Sequence, residues 1–350
     1  MNFASDNTAG IAPAVLDAIA SANRGSALGY GNDDLTHAVE RRMSATFERE
    51  AAVFLVSTGT AANALALAHV VPPWGGVLCH AEAHIATDEC GAPEFFGGGF
   101  KLIGLPGVGC KLAPATLRAA IERNTGHRPH AVQASALSLS QVTEAGTIYS
   151  VGEIEALAAI AHERGLAVHM DGARFGNALV RLGATPAEMS WRAGVDVLSF
   201  GATKGGALAA EAIVIFDPSQ ADAMHERRKR GGHLVSKHRF LAAQVEAYLA
   251  DDNWLAWARH ANHMADLLAG RLAAAGITPV WPVEANLVFV VLPAQTHARL
   301  RAAGATYYAR HSDSLPDRTV IAPGDVLARL VTSFATSATE VDRFVALARD

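Results

Sequence analysis

Long apolar runs are missing from this chain of 350 residues, although half of its residues are hydrophobic. No stretch approaches the roughly 20 consecutive apolar residues that a membrane-spanning helix needs. Met1 is followed by Asn2-Phe3-Ala4-Ser5-Asp6-Asn7, with no basic segment and no apolar core of a leader, so a cytoplasmic protein with no membrane partner is expected. Cysteine is scarce: Cys79, Cys90 and Cys110 form no Cys-x-x-Cys pair, and their odd number argues against a disulfide framework. They read as reduced thiols in the core or near a site. Neither sign of charge dominates, since 29 Lys and Arg stand against 34 Asp and Glu for a net charge of −5, and nothing global draws the chain to nucleic acid. Repeats and low-complexity tracts are absent as well. What remains is enough apolar material for one large α/β domain and a smaller one.

The stretch that organises the rest is 195–206, an apolar strand-like run that ends in small residues and presents Lys204. Gly201, Ala202, Gly205 and Gly206 are expected to leave room beside Lys204 for a flat ring lying against the backbone. A lysine that forms a Schiff base must be reachable by a carbonyl and partly desolvated to be nucleophilic. A lysine at the end of a buried strand, reaching for water, satisfies the same stretch. Upstream, the strand 52–56 runs into Ser57-Thr58-Gly59-Thr60 and a helix to about residue 70. The start of such a helix offers unpaired N–H groups, a positive dipole end and small hydroxyls, which suit a phosphate. Ser and Thr are also the commonest helix caps. The strand 166–171 ends on Asp171, with Arg174 three residues on.

Strands at 76–79, 100–105, 130–135 and 212–216 alternate with helices at 35–47, 114–123, 151–164 and 218–230, while Gly91-Ala92-Pro93 breaks the helical segment that follows His84. This alternation predicts an α/β fold with a mostly parallel central sheet and helices on both faces. Function then belongs at the carboxyl ends of the strands, where Thr58, His84, Asp171 and Lys204 fall. Past residue 250 the pattern changes. A long helix at 254–275, strands near 280, at 286–291 and at 330–333, and a last helix at 338–348 opened by Ser337-x-x-Glu340 make a small C-terminal α+β domain. The expected division is 1–250, with an N-terminal arm, and 251–350. His260 and His263 share a helix face without an acid or third ligand, so no metal site is expected. Arg227 to Arg230 complement a helix end or meet another subunit.

A phosphate cradle at Ser57, Thr58, Gly59 and Thr60, an acid at a strand end and a lysine at a later strand end suit one ligand together, pyridoxal 5′-phosphate. The Asp171 carboxylate would keep the pyridine nitrogen protonated so that the ring can draw electrons from a bond at the substrate α-carbon. His84 would lend a flat face to the ring. Taken singly, Asp171 is as readily a cap or an ion pair with Arg174, and His84 a polar residue at a helix start.

The motifs Phe3-Ala4-Ser5-Asp6-Asn7, Tyr30-Gly31-x-Asp33, Ser57-Thr58-Gly59-Thr60-Ala61-Ala62-Asn63, Ala83-His84, Glu89-x-Gly91-Ala92, His169-Met170-Asp171-Gly172-Ala173-Arg174 and Thr203-Lys204 occur in this order along nearly the whole chain. This set resembles the low-specificity L-threonine aldolases, of the β-eliminating lyase group. The resemblance implies the aspartate-aminotransferase fold, fold type I of pyridoxal-phosphate enzymes. It also implies retro-aldol cleavage of L-threonine, L-allo-threonine and other β-hydroxy-α-amino acids to glycine and an aldehyde. By similarity, Lys204 carries the cofactor, Asp171 holds the ring nitrogen, and His84 stacks on the ring and joins the proton transfer. Arg174 and Arg329 match arginines that clamp the substrate carboxylate or the cofactor's ring hydroxyl, a task for which a guanidinium is shaped. Ser5 matches a carboxylate contact, and Tyr30 a residue that reaches a neighbouring subunit's site. A homo-oligomer with shared sites is thereby implied, as a tetramer built of two dimers.

One departure matters. Many members of the group carry His-Asn-Gly where this chain has Glu144-Ala145-Gly146. Glu144 therefore stands as a base or hydroxyl acceptor if it points into the site, and as a loop carboxylate if it does not. An aldolase preferring β-aryl substrates, a β-eliminating lyase on the same scaffold, and a module that holds pyridoxal phosphate without turnover are the alternative readings, because one scaffold hosts many reactions.

Overall fold

In the computed structural model, which describes residues 1–317 and 319–349, a seven-stranded sheet runs in the order β1-β7-β6-β5-β4-β2-β3. Its strands are β1 (Ala52–Val56), β2 (Gly75–His80), β3 (Lys101–Leu105), β4 (Gln133–Ser140), β5 (Ala167–Gly172), β6 (Val197–Gly201) and β7 (Glu211–Ile215). Only β7 runs against its neighbours β1 and β6, and the remaining pairs are parallel. A second, antiparallel sheet is built from β8 (Leu287–Leu292), β9 (Tyr308–Ala309) and β10 (Val326–Val331), with β10 in the middle.

Side-chain alternation along the strands explains why helices cover both faces of the large sheet. Phe54, Val56, Ile213 and Ile215 pack with Leu65 of the Gly59–Val70 helix and Met224 of the Asp222–Arg230 helix. Leu55, Leu198, Ala212 and Val214 face the other way, into the largest core cluster, with Met43, Leu117, Ile154 and Phe175 from other helices. Phe47, Phe175 and Phe200 meet there at ring separations of 5.9–6.1 Å. The second core gathers Val288, Val290, Ala328 and Leu330 of the small sheet with Leu268 and Phe344 of the last helices. Phe3 belongs to it too: its N–H donates to the Thr306 carbonyl at 2.8 Å and its carbonyl accepts from Val331 N at 2.9 Å.

Several elements lie where local sequence puts them. The capping box at Ser337 and Glu340 is formed, with Ser337 N donating to Glu340 Oε2 at 3.1 Å. Other expectations are corrected. The helical segment after His84 ends at Thr87, and Gly91-Ala92-Pro93, which interrupts it, also starts a second helix (Ala92–Phe96), with left-handed Gly91 before a turn that has proline in its first positions. The region near 280, expected as a strand, contributes a single bridge, Pro279 to Val290. No helix among the described residues is long and apolar enough to cross a membrane.

Asp33 caps the Asp34–Thr46 helix from a buried position, accepting Thr36 N at 2.9 Å and Thr36 Oγ1 at 2.8 Å. Asp33→Ala is expected to cost about 1–2 kcal/mol of stability, with Asp33→Asn costing less, as read from the midpoint of urea unfolding.

Candidate active site

The carboxyl ends of β1, β2, β5 and β6 open onto one cavity of about 680 Å³. Three loops and one helix start meet there because parallel strands deliver their turns to the same edge of the sheet. β1 leads to Ser57-Thr58 and the Gly59–Val70 helix; Thr58 Oγ1 accepts the Ala61 N–H at 3.1 Å, so the cap uses one orphan donor and leaves the first N–H groups of the helix facing the cavity. A Cβ built at Gly59 would meet nothing within 4 Å, so no protein packing demands a glycine there and the helix start stays open. An anion with several oxygens fits this cradle.

Asp171 ends β5, buried, with Oδ1 taking Ala173 N at 3.0 Å and Oδ2 taking Asn63 Nδ2 at 2.9 Å. Burial pushes its carboxyl up, but His84 and Lys204 outweigh that and hold it below the ordinary carboxylate range. It is therefore a carboxylate at neutral pH. His169, two residues earlier, is locked between Ser138 Oγ (2.9 Å) and Ser199 Oγ (3.0 Å), and burial lowers it to about 4. This imidazole is neutral and ties β5 to its two neighbours.

Lys204 follows β6 in the turn Thr203–Gly205. Burial, then Arg174, lower its amine, against the opposing pull of Asp6, Asp171 and Glu211. Its Nζ makes no hydrogen bond or ion pair among the described residues. The small residues around it have a different role from the one expected. A Cβ on Gly201 would stand 2.7 Å from the Ala173 backbone, one on Gly205 would collide with the Tyr248 phenol, and one on Gly206 would come within 3.0 Å of Ala12. Glycine here lets the lysine turn sink against its own protein; it does not reserve space for a ligand.

The other residues singled out from the sequence divide clearly. Ser5, His84, Glu144, Arg174 and Arg329 line the same cavity. Tyr30 does not: it is half exposed at φ 61°, bonded through its N–H to the Ser236 carbonyl and covered by Lys229 Nζ at 4.7 Å from the ring centre. Arg174 does not pair with Asp171. Its Nε and one terminal nitrogen grip Asp6 at 2.7 and 3.0 Å. Arg329, on β10, makes no hydrogen bond or ion pair among the described residues, and burial followed by Arg174 lowers it to about 10. Among the described residues it is, with Lys204, an unpaired cation on the cavity wall.

Glu144 points inward. Oε1 accepts His84 N at 2.8 Å and Ser140 Oγ at 2.9 Å, whereas Oε2 is shut from solvent with no partner. Burial, then the His84 N–H bond opposing it and Asp171 adding to it, leave its carboxyl above the ordinary value.

Sequence reasoning passed over Asp6, Asn63, Glu89 and Glu211, although the first three stand in the quoted motifs. A signal existed for Asn63, the one amide in a helical run buried from Ala61 to Ala68. Glu211, at the start of β7, accepts Ala202 N at 2.9 Å beneath the lysine turn and is pushed up to about 7, chiefly by burial. No local pattern distinguishes it from a strand-end surface acid.

A profile of the beta-eliminating lyases matches residues 2–295. The chain belongs to the beta-eliminating lyase family. It is 44% identical to the low specificity L-threonine aldolase of Pseudomonas aeruginosa, over 99% of this chain and 96% of that one. The solved threonine aldolase of Leishmania major superposes with a TM-score of 0.91 at 31% identity, covering 99% and 98% of the two chains. Aspartate aminotransferase from Thermus thermophilus shares the fold, with a TM-score of 0.71 at 16% identity over 99% of this chain and 90% of that one. Within this lyase family fold, the antiparallel β7 and the small C-terminal sheet flank the site that the parallel strands create.

Asp6 is buried with its carboxyl held below the ordinary range: burial opposes this, and Arg174 and Lys204 prevail. A depressed folded pKa means that its contribution is complete above the unfolded carboxyl pKa and is lost as pH falls through the folded one. Asp6→Asn is expected to destabilise the protein by about 3–5 kcal/mol at neutral pH, the cost of leaving a buried guanidinium half-paired. Urea unfolding at neutral and at acidic pH checks it, since the loss shrinks as Asp6 of the native protein becomes protonated.

Proposed function

We propose that this chain is a pyridoxal-phosphate-dependent carbon–carbon lyase that cleaves L-threonine, L-allo-threonine and other β-hydroxy-α-amino acids to glycine and an aldehyde. The observation that carries this reading is the convergence, in one cavity, of an open helix start, the Asp171 carboxylate, the Lys204 amine and the unpaired Arg329 guanidinium. These are the complements of a phosphate, a protonated ring nitrogen, a carbonyl and an amino-acid carboxylate. The relatives of the family support it through their names.

Pyridoxal phosphate, when bound, supplies the electron sink that accepts the bonding pair of the broken Cα–Cβ bond. The chain's residues do the rest. Ser57, Thr58, Gly59 and Thr60 hold the phosphate at the helix start, and Asp171 keeps a proton on the ring nitrogen. Lys204, its amine lowered by burial, would hold the cofactor at its carbonyl carbon. Arg329 binds the substrate carboxylate, with Ser5 at its side, and Arg174, fixed by Asp6, adds positive potential without giving up its partner. His84 offers its ring face to the cofactor. Glu144 is the base: its carboxylate, on the cavity wall, takes the β-hydroxyl proton, and an elevated carboxyl is the better matched acceptor near neutral pH. Tyr30, outside its own cavity, serves the site of a second copy, and a tetramer of two dimers is the assembly we assign. Three free thiols, with Cys79 and Cys110 buried and raised to about 12 by burial, accord with a cytoplasmic location.

The test is a visible spectrum of the purified protein before and after addition of L-threonine or L-allo-threonine, with aldehyde and glycine assayed together. A yellow protein that forms both supports the reading; a yellow protein that forms neither shifts it to β-aryl substrates or another reaction. Lys204→Ala should remain folded but lose both colour and activity. Glu144→Gln should retain colour and lose kcat by roughly 10²-fold or more, the scale of general-base catalysis. Arg329→Ala should act mainly on substrate binding, raising KM by about 10- to 100-fold, as expected for hydrogen bonds to a charged group.

A further inference from the structure

A chain of hydrogen bonds that no step above uses runs beside the cavity floor. His84 Nδ1 lies 2.8 Å from Glu89 Oε1, the same oxygen accepts Asn63 Nδ2 at 2.8 Å, and that nitrogen also donates to Asp171 Oδ2 at 2.9 Å. Ligand-type atoms of His84, Glu89 and Asp171 all lie within 4.8 Å of one another. Glu89 and Asn63 are buried, and Glu89 Oε2 has no partner at all. Two carboxyls this close repel unless positive charge or donated hydrogens stand between them. Here the amide hydrogens of Asn63 serve both acids, and the remaining donor is the imidazole of His84.

We propose that Glu89 is a positioning residue that holds His84 as a charged imidazolium beside Asp171, with Asn63 keeping the two acids in register. His84 is then a proton holder and not a proton acceptor, which leaves the acceptor's role to Glu144. The groups that face His84 favour this balance. Glu89 comes from the loop after the His84–Thr87 turn, Asp88 lies 3.4 Å from Nε2 and Asp171 comes from β5, while Glu144 takes the backbone N–H of His84; Lys204 opposes the acids, and burial with Asp171 pushes the Glu89 carboxyl up against the pull of His84 and Asn63. The Glu89 bond is the largest influence on the imidazole and raises it, while burial lowers it. The part of this inference that concerns proton transfer rests on the aldolase reading; the charge of His84 does not.

The experiment is an NMR titration of the full chain carrying ¹³C-labelled histidine, loaded with pyridoxal phosphate and again without it, with His84→Asn identifying the resonance. In the native protein His84 should titrate above free imidazole. Glu89→Gln, which preserves shape, should move that titration down while the melting temperature stays close to native. Asp88→Asn, at an exposed acid, should move it far less. An unchanged titration in Glu89→Gln, or an equal shift in Asp88→Asn, overturns the assignment whatever the enzyme does with threonine. A shifted titration in a protein that makes no aldehyde overturns the aldolase reading instead and leaves Glu89 in place. In an active enzyme, Glu89→Gln combined with Glu144→Gln separates the roles: activity recovered through a neutral His84 would show that His84 can accept the proton and would overturn the division of labour.

Discussion

The structure turns on one buried ion pair. Asp6 and Arg174 meet through two bonds of 2.7 and 3.0 Å, and Asn286 adds a third to Asp6 at 3.1 Å. These residues come from the N-terminal arm, the turn after β5 and the approach to β8, so one carboxylate fastens the arm, the large sheet and the small sheet to the same wall of the cavity. A pair held away from water survives only if its geometry compensates the lost hydration, and a two-pronged guanidinium contact with an added amide donor does so. Phe3, three residues earlier, is anchored in the second core and leaves the arm no slack.

With Arg174 committed, the remaining charges of the cavity are free to differ in protonation. Asp171 is held down as a carboxylate by the cations around it, whereas burial pushes Glu144 up and outweighs the pull of Lys204 on Glu211, which rises to about 7. Lys204 is lowered by the same desolvation. Environments that drive like groups apart are how one site can hold a permanent anion, a proton acceptor and a nucleophile at a single pH, the roles proposed for Asp171, Glu144 and Lys204.

Much of the fold was legible in the sequence because it is written in local signals. The strand β1, the Gly59–Val70 and Pro114–Arg123 helices and the Ser337 capping box each follow from periodicity, a proline or a cap within a few residues. Errors arose where local rules compete. Gly91-Ala92-Pro93 is both a breaker and a helix start, and it acts as both, ending the run that began at His84 and opening a new helix at Ala92, which the sequence reading missed. The glycines around Lys204 read as ligand space, although their neighbours, Ala173 and Tyr248, are distant in sequence and could not be known from it.

The sequence by itself determined the order of the elements and placed Thr58, His84, Asp171 and Lys204 past strand ends, where they line one cavity, since strand–turn–helix patterns and residue chemistry are local properties. Tertiary structure decided the partners. It assigned Arg174 to Asp6 and not to Asp171, turned Glu144 inward, left Arg329 open and joined His84 to Glu89 and Asn63. Protonation depends on burial and on charges a few ångströms away, and those distances exist only after the chain has folded, bringing together residues as far apart as Asp6 and Arg174.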